Sequence, residues 1–174
     1  AWIMEMMGKG AGSKGAVWVA LRIPDDAICA HANQSRIGKF NMKDKKNVMY
    51  AKDVVSFARS KGWFKGKDAD FSWKMAYAKP DFSGRRFCDA RAWAMLNHFY
   101  DMSPYLDWAL GKNPDAQDMP LWVVPNKKVS VKDVENVMRD HYEGTPLSVA
   151  DGSDIGGGIW EMPYRPTPLM FKVD

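Results

Sequence analysis

The chain has 174 residues, 46% of them apolar, and a formal net charge of only +4, which suits one folded domain and excludes a disordered polyelectrolyte. No run of roughly 18 apolar residues could cross a membrane as a helix, and the two cysteines, Cys29 and Cys88, are too few for a disulfide framework and lack metal-ligand spacing. Eight Trp and twelve Met point to an aromatic-rich core or to an interface with missing parts.

In chain order, Trp2 to Met7 and Ala16 to Ile23 read as strands, rich in β-branched and aromatic residues. Between them, Gly10-Ala11-Gly12-Ser13-Lys14-Gly15 fits G-x-G-x-x-G. That fingerprint holds a phosphate only when a helix follows the glycines. A strand follows here, so the run reads as a flexible turn. Pro24-Asp25-Asp26 is a second turn signal, and Ile28 to Gln34 reads as a third strand. Residues 38–50 form a lysine-rich loop, with Lys39, Lys43, Lys45 and Lys46 as a solvated charge run.

Helical spacing then takes over. Asp53 to Arg59 is a short helix with Gly62 as its stop, and Asp70 to Tyr77 is a second, stopped before Pro80. The strongest helix spans Arg85 to about Tyr100, with Phe87, Cys88, Ala90, Trp93, Ala94, Leu96 and Phe99 on a wide buried face. A short helix near Pro104 to Leu110 and a buried strand over Leu121 to Val124 follow. Ser130 caps a further helix, with Asp133 in the capping-box position; Val134, Val137, Met138, His141 and Tyr142 form its apolar face and Gly144 its end. This spacing makes His141 a core histidine. Residues 151–158 are glycine-rich, and the tail alternates as a last strand through Tyr164, Leu169 and Phe171. Strands, then helices, then a strand give the α+β class: strands over about 1–37, a helical middle over about 50–145 and a terminal strand over about 160–174.

The densest polar cluster is His31-Ala32-Asn33-Gln34-Ser35-Arg36, at the end of the third strand. In alternation His31 and Asn33 share one face, Gln34 and Arg36 the other. A carboxamide donates two hydrogen bonds without carrying charge, which suits stabilisation of an oxyanion. An arginine can hold a carboxylate with two parallel bonds. Arg91, at the edge of the long helix's apolar face, needs a carboxylate or carbonyl partner, such as Asp89 or Asp107, and Arg86 is its rival for a site role. Thiol dyads are poor: Cys88 and His98 stand nearly three helical turns apart, and Cys29 and His31 point in parallel from one strand face. Apolar flanks predict that both cysteines are buried free thiols. The three histidines lack i, i+4 spacing, so no metal site and no cofactor is expected.

The stretch VWVALRIPDDAICAHANQSRIGKF, the Arg91-Ala92-Trp93 triplet and MRDHYEGTP at 138–146 resemble, in that order, the dipeptidase A family of bacterial thiol dipeptidases. The resemblance covers essentially the whole chain. It implies the αββα sandwich of the N-terminal-nucleophile hydrolases, with the helical middle as cover or insertion. It also implies hydrolysis of dipeptides by a cysteine at a mature N-terminus, whose own α-amino group is the general base. Asn33 then becomes the oxyanion-hole candidate, Arg91 the matching active-site arginine, and His31, Gln34 and Arg36 substrate-pocket candidates. No residue here matches the nucleophile segment, which makes the chain an expected central fragment, inactive alone. Its expected partner is a dipeptide, with no nucleic acid or membrane, and exposed half-sheets would favour a homo-oligomer. The compartment is left open. The alternative is a non-catalytic module binding a polyanion or a protein through the lysine loop, which predicts salt-sensitive binding.

Overall fold

The computed structural model describes residues 1–148; the expected terminal strand and the glycine-rich run before it lie outside them. The described chain is mixed α and β, with antiparallel sheets and several helices. It divides into two compact units: Ala1–Asp25 with Ser35–Pro80, and Asp26–Gln34 with the chain from Asp81 onward.

In the first unit, β1 (Trp2–Gly8) and β2 (Ala16–Arg22) pair antiparallel from Trp2↔Arg22 to Gly8↔Ala16. The glycine run is the hairpin loop between them, with Gly10, Gly12 and Gly15 all at φ between 82° and 88°. That backbone is open to glycine and strained for other residues, which is the physical reason for the run. β4 (Val48–Tyr50) pairs with the other edge of β2, in the order β1-β2-β4. This strand lies inside the expected lysine loop. The lysines obscured it, but Asp44 accepts from the amides of Lys46 and Asn47 and closes a turn before Val48.

Period-two alternation along β2 turns Val17, Val19 and Leu21 inward. They pack in a core with Ile3, Ile37, Val48, Val54, Ala58, Phe71 and Trp73. Two helices, α1 (Val54–Ser60) and α2 (Trp73–Tyr77), close this unit, and the Tyr77 hydroxyl donates to the Val54 carbonyl. Glu5 also points inward from β1. Its Oε1 accepts from the backbone amides of Arg36 (2.6 Å) and Ile37 (2.9 Å).

In the second unit, β3 (Ile28–Cys29) pairs with β5 (Trp122–Val123). The strand expected through Gln34 therefore stops five residues early. Asn33 at φ 52° and the Gln34 amide bonded to the Ala32 carbonyl (2.6 Å) turn the chain out of the extended state. The long helix begins as a π-helical turn over Gly84–Asp89 and continues as α3 (Ala90–Asn97). The wide turn rotates Phe87 outward to 48% exposure and leaves Cys88 half-buried, so neither joins the expected buried face. Trp93, Leu96 and Phe99 are buried as the spacing predicts. Helix α4 (Leu106–Leu110) supplies Trp108, whose Nε1 donates to Asp89 Oδ2 at 2.7 Å.

Helix α5 (Val131–Val137) opens with the expected capping box: Ser130 Oγ accepts from the Asp133 amide, and Asp133 accepts from the Ser130 amide. It ends well before Gly144, because Asp140 takes up the Tyr142 amide and Tyr142 itself adopts φ 67°. The apolar face is correspondingly smaller than expected. Val137 and Tyr142 are buried, Val134 and Met138 are exposed, and His141 is not a core histidine. It is half-exposed and lies against Glu143.

Candidate functional site

Four of the five polar candidates fall in the second unit. His31, Asn33 and Gln34 sit on the irregular segment after β3, and Arg91 sits in the first turn of α3. Arg36 falls in the first unit, where it is 5% exposed and its amide is committed to Glu5.

Arg91 and Asn33 meet directly. Arg91 Nη2 donates to Asn33 Oδ1 at 2.8 Å, and Arg91 Nε donates to the Phe87 carbonyl, also at 2.8 Å. The partners of this buried guanidinium include a carboxamide and a carbonyl. Phe87 lies in the π turn, four residues before Arg91. A guanidinium only donates, so it meets the oxygen of the carboxamide and turns the NH₂ away. Asn33 is exposed, and its left-handed backbone is one that asparagine tolerates better than most side chains. The result is a neutral donor pair oriented by a buried cation and presented at the surface.

Gln34 packs against the start of the π turn. A Cβ at Gly84 would land on the Gln34 carboxamide oxygen, so only glycine lets that side chain lie where it does. His31 is exposed. Arg86 is buried to 1% exposure, deeper than Arg91 at 9%. Cys29 Sγ donates to the Leu121 carbonyl at 3.1 Å, across the β3–β5 pair. Both thiols are free and half-buried, less buried than their apolar flanks predicted.

Sequence reasoning singled out the DHYEGT segment as a motif without assigning its residues a role. His98 Nε2 stands 2.8 Å from Asp140 Oδ2, beside a cavity of about 100 Å³ lined by Ala94, Asn97, Glu143 and Thr145 as well. Burial, and then a hydrogen bond with Glu143, raises the Asp140 carboxyl above its ordinary range. Burial pushes Glu143 up as well, but its bonds to Asp140 and to the His141 amide outweigh this and carry it down to about 2. Among the described residues, no group of three His, Cys, Asp or Glu could hold a metal ion, and no helix is long and apolar enough to cross a membrane.

In the first unit the lysine loop lines a cavity of about 690 Å³ with Phe40, Tyr50 and Asp68. Its charges meet local acceptors: Lys39 stands 3.2 Å from Asp70, and Lys45 donates to the Met42 carbonyl and the Tyr50 hydroxyl.

Comparison with known proteins adds the family. A probable dipeptidase of Salmonella dublin is 30% identical over 144 residues, covering 83% of this chain and 30% of that protein. A probable dipeptidase of Latilactobacillus sakei is 27% identical over 131 residues, covering 75% and 26%. Dipeptidase A of Lactobacillus helveticus is 26% identical over 165 residues, covering 95% and 31%. The chain thus spans about 30% of the length of these curated relatives. The sequence profile of peptidase family C69 matches residues 1–166, so the chain belongs to that family.

Proposed function

We propose that this chain is the oxyanion-binding part of a thiol dipeptidase of the N-terminal-nucleophile type. The dipeptidase names of its relatives support the substrate class, and the family resemblance supports the αββα architecture. The observation that carries the reading is the Arg91–Asn33 hydrogen bond, which aims an uncharged NH₂ donor outward.

In this reading a cysteine at the mature N-terminus of the complete enzyme attacks the peptide carbonyl carbon, and its α-amino group takes the thiol proton. The C=O electron pair moves onto oxygen, where the Asn33 NH₂ stabilises it. Collapse expels the amine, which takes the proton from the α-ammonium, and water then hydrolyses the thioester. Gln34 and His31 line the substrate side. Cys29 does not serve as nucleophile, because its thiol is directed to a backbone carbonyl.

The test is hydrolysis of a dipeptide panel by the complete enzyme and by residues 1–174 alone. Cleavage by the complete enzyme, abolished by alkylating its N-terminal cysteine, is the expected result, with none from the shorter chain. Turnover that survives substitution of that cysteine would overturn the reading.

A further inference from the structure

The π turn over Gly84–Asp89 contains Phe87, whose carbonyl takes the Arg91 Nε–H at 2.8 Å. A second bond of the same length runs from Arg91 Nη2 to Asn33 Oδ1. The guanidinium is thus fixed at two points, and the place of one of them is set by the turn. π-helical turns are rare, so whatever holds this one bears on where Asn33 points.

Both flanks of Phe87 are tied to α4. Two residues after it, buried Asp89 accepts the Trp108 Nε1–H at Oδ2, 2.7 Å away. Two residues before it, the Arg85 guanidinium lies over the Trp108 ring, 3.8 Å from its centroid. One indole therefore meets both sides of Phe87: its edge bonds Asp89 and its face carries Arg85. Arg85 Nη1 and Nη2 also donate to the carbonyls of Asn113 (2.9 Å) and Pro114 (3.3 Å), in the loop that follows α4. Gly111 lets α4 end against the turn. It stands at φ 73°, and a Cβ there would lie 3.3 Å from the Phe82 carbonyl oxygen and 3.5 Å from Arg85 Cβ. An apolar ring would satisfy the packing of α4, so a donor aimed at a carboxyl group of the π turn adds direction to that packing.

We propose that Trp108 and Arg85 are positioning residues for the candidate site: they clamp the π turn from α4 and so fix the Phe87 carbonyl that holds Arg91 against Asn33. Both act through that carbonyl and Arg91. Only the consequence for turnover rests on the dipeptidase reading.

The experiment uses the complete enzyme with Trp108→Phe, which keeps a ring beneath Arg85 and removes the indole donor, and separately with Arg85→Met. The deciding readout is hydrogen exchange at the Arg91 Nε–H, followed by NMR on arginine-labelled protein and assigned by the loss of that signal in Arg91→Gln. Exchange is expected to accelerate about tenfold in Trp108→Phe and about threefold in Arg85→Met. In Trp108→Phe, kcat for a dipeptide should fall about tenfold, with KM within about twofold. In an Arg91→Gln background Trp108→Phe should lower kcat no further, whereas a purely structural effect would multiply. Wild-type exchange at Arg91 in both variants would overturn the proposal, and so would multiplying losses of kcat. Arg85 is partly exposed, so Arg85→Met decides by the same readouts if Trp108→Phe does not fold. If the wild-type enzyme cleaves no dipeptide, the dipeptidase reading fails, and the exchange rate alone still decides this one.

Discussion

The two units treat their inward polar groups in opposite ways. In the first, Glu5 is 5% exposed and collects the amides of Arg36 and Ile37, so a buried carboxylate is met by backbone donors inside the unit. In the second, the buried Arg91 spends one bond on an exposed asparagine in a strained backbone position. The first arrangement ties β1 to the last residues of the polar motif. The second orients a donor toward whatever lies outside. The motif HANQSRI takes part in both, through Arg36 in one unit and Asn33 in the other.

That contrast can be broken most sharply at Asn33. Asn33→Gly keeps the left-handed backbone and removes the carboxamide. In the complete enzyme kcat should fall on the order of 10²–10³-fold, with KM and melting temperature nearly unchanged. Loss of fold with wild-type turnover per folded molecule would make Asn33 a structural residue like Glu5.

The converse substitution is Glu5→Leu. It leaves two buried amides without their acceptor and should destabilise the protein by about 3 kcal/mol in denaturant unfolding. Turnover per folded molecule should not move. A smaller effect is expected at Gly84. Its Cβ would displace the Gln34 carboxamide. Gly84→Ala should therefore change kcat/KM by roughly fivefold, on the order of 1 kcal/mol, with little change in folding.

The smallest effect belongs to α5, which touches neither arrangement. Ser130→Ala should cost about 1 kcal/mol of local stability, read by amide exchange over residues 134–137. Hydrogen bonds from Ser130, and then Lys127, hold the Asp133 carboxyl well below its ordinary value of 3.8. A carboxyl lowered by folding stabilises fully above its unfolded value and loses that contribution as pH falls through the folded one. The same amides should keep their protection to below pH 3.8 and then open, and Ser130→Ala should open them at higher pH.

Much of this protein was legible in local chemistry. The hairpin follows from strand formers on either side of a glycine run, the α5 start from Ser130 and Asp133, and the buried side of α3 from apolar spacing. The candidate pair was legible only as two residue types, a carboxamide that can donate and an arginine that needs a partner. What tertiary structure decided was geometry that no local pattern encodes. The π turn over Gly84–Asp89 leaves Phe87 exposed, and the Phe87 carbonyl meets Arg91. Val48 to Tyr50 became a strand because the edge of β2 was available, against the polarity of the lysines before it. The short β3 and the early end of α5 both trace to left-handed residues, Asn33 and Tyr142, held by bonds from their neighbours and by contacts in the fold. Hydrophobic period and capping act over a few residues and can be read along a chain. The direction of a carboxamide depends on a guanidinium 58 residues away, and only the folded chain brings the two together.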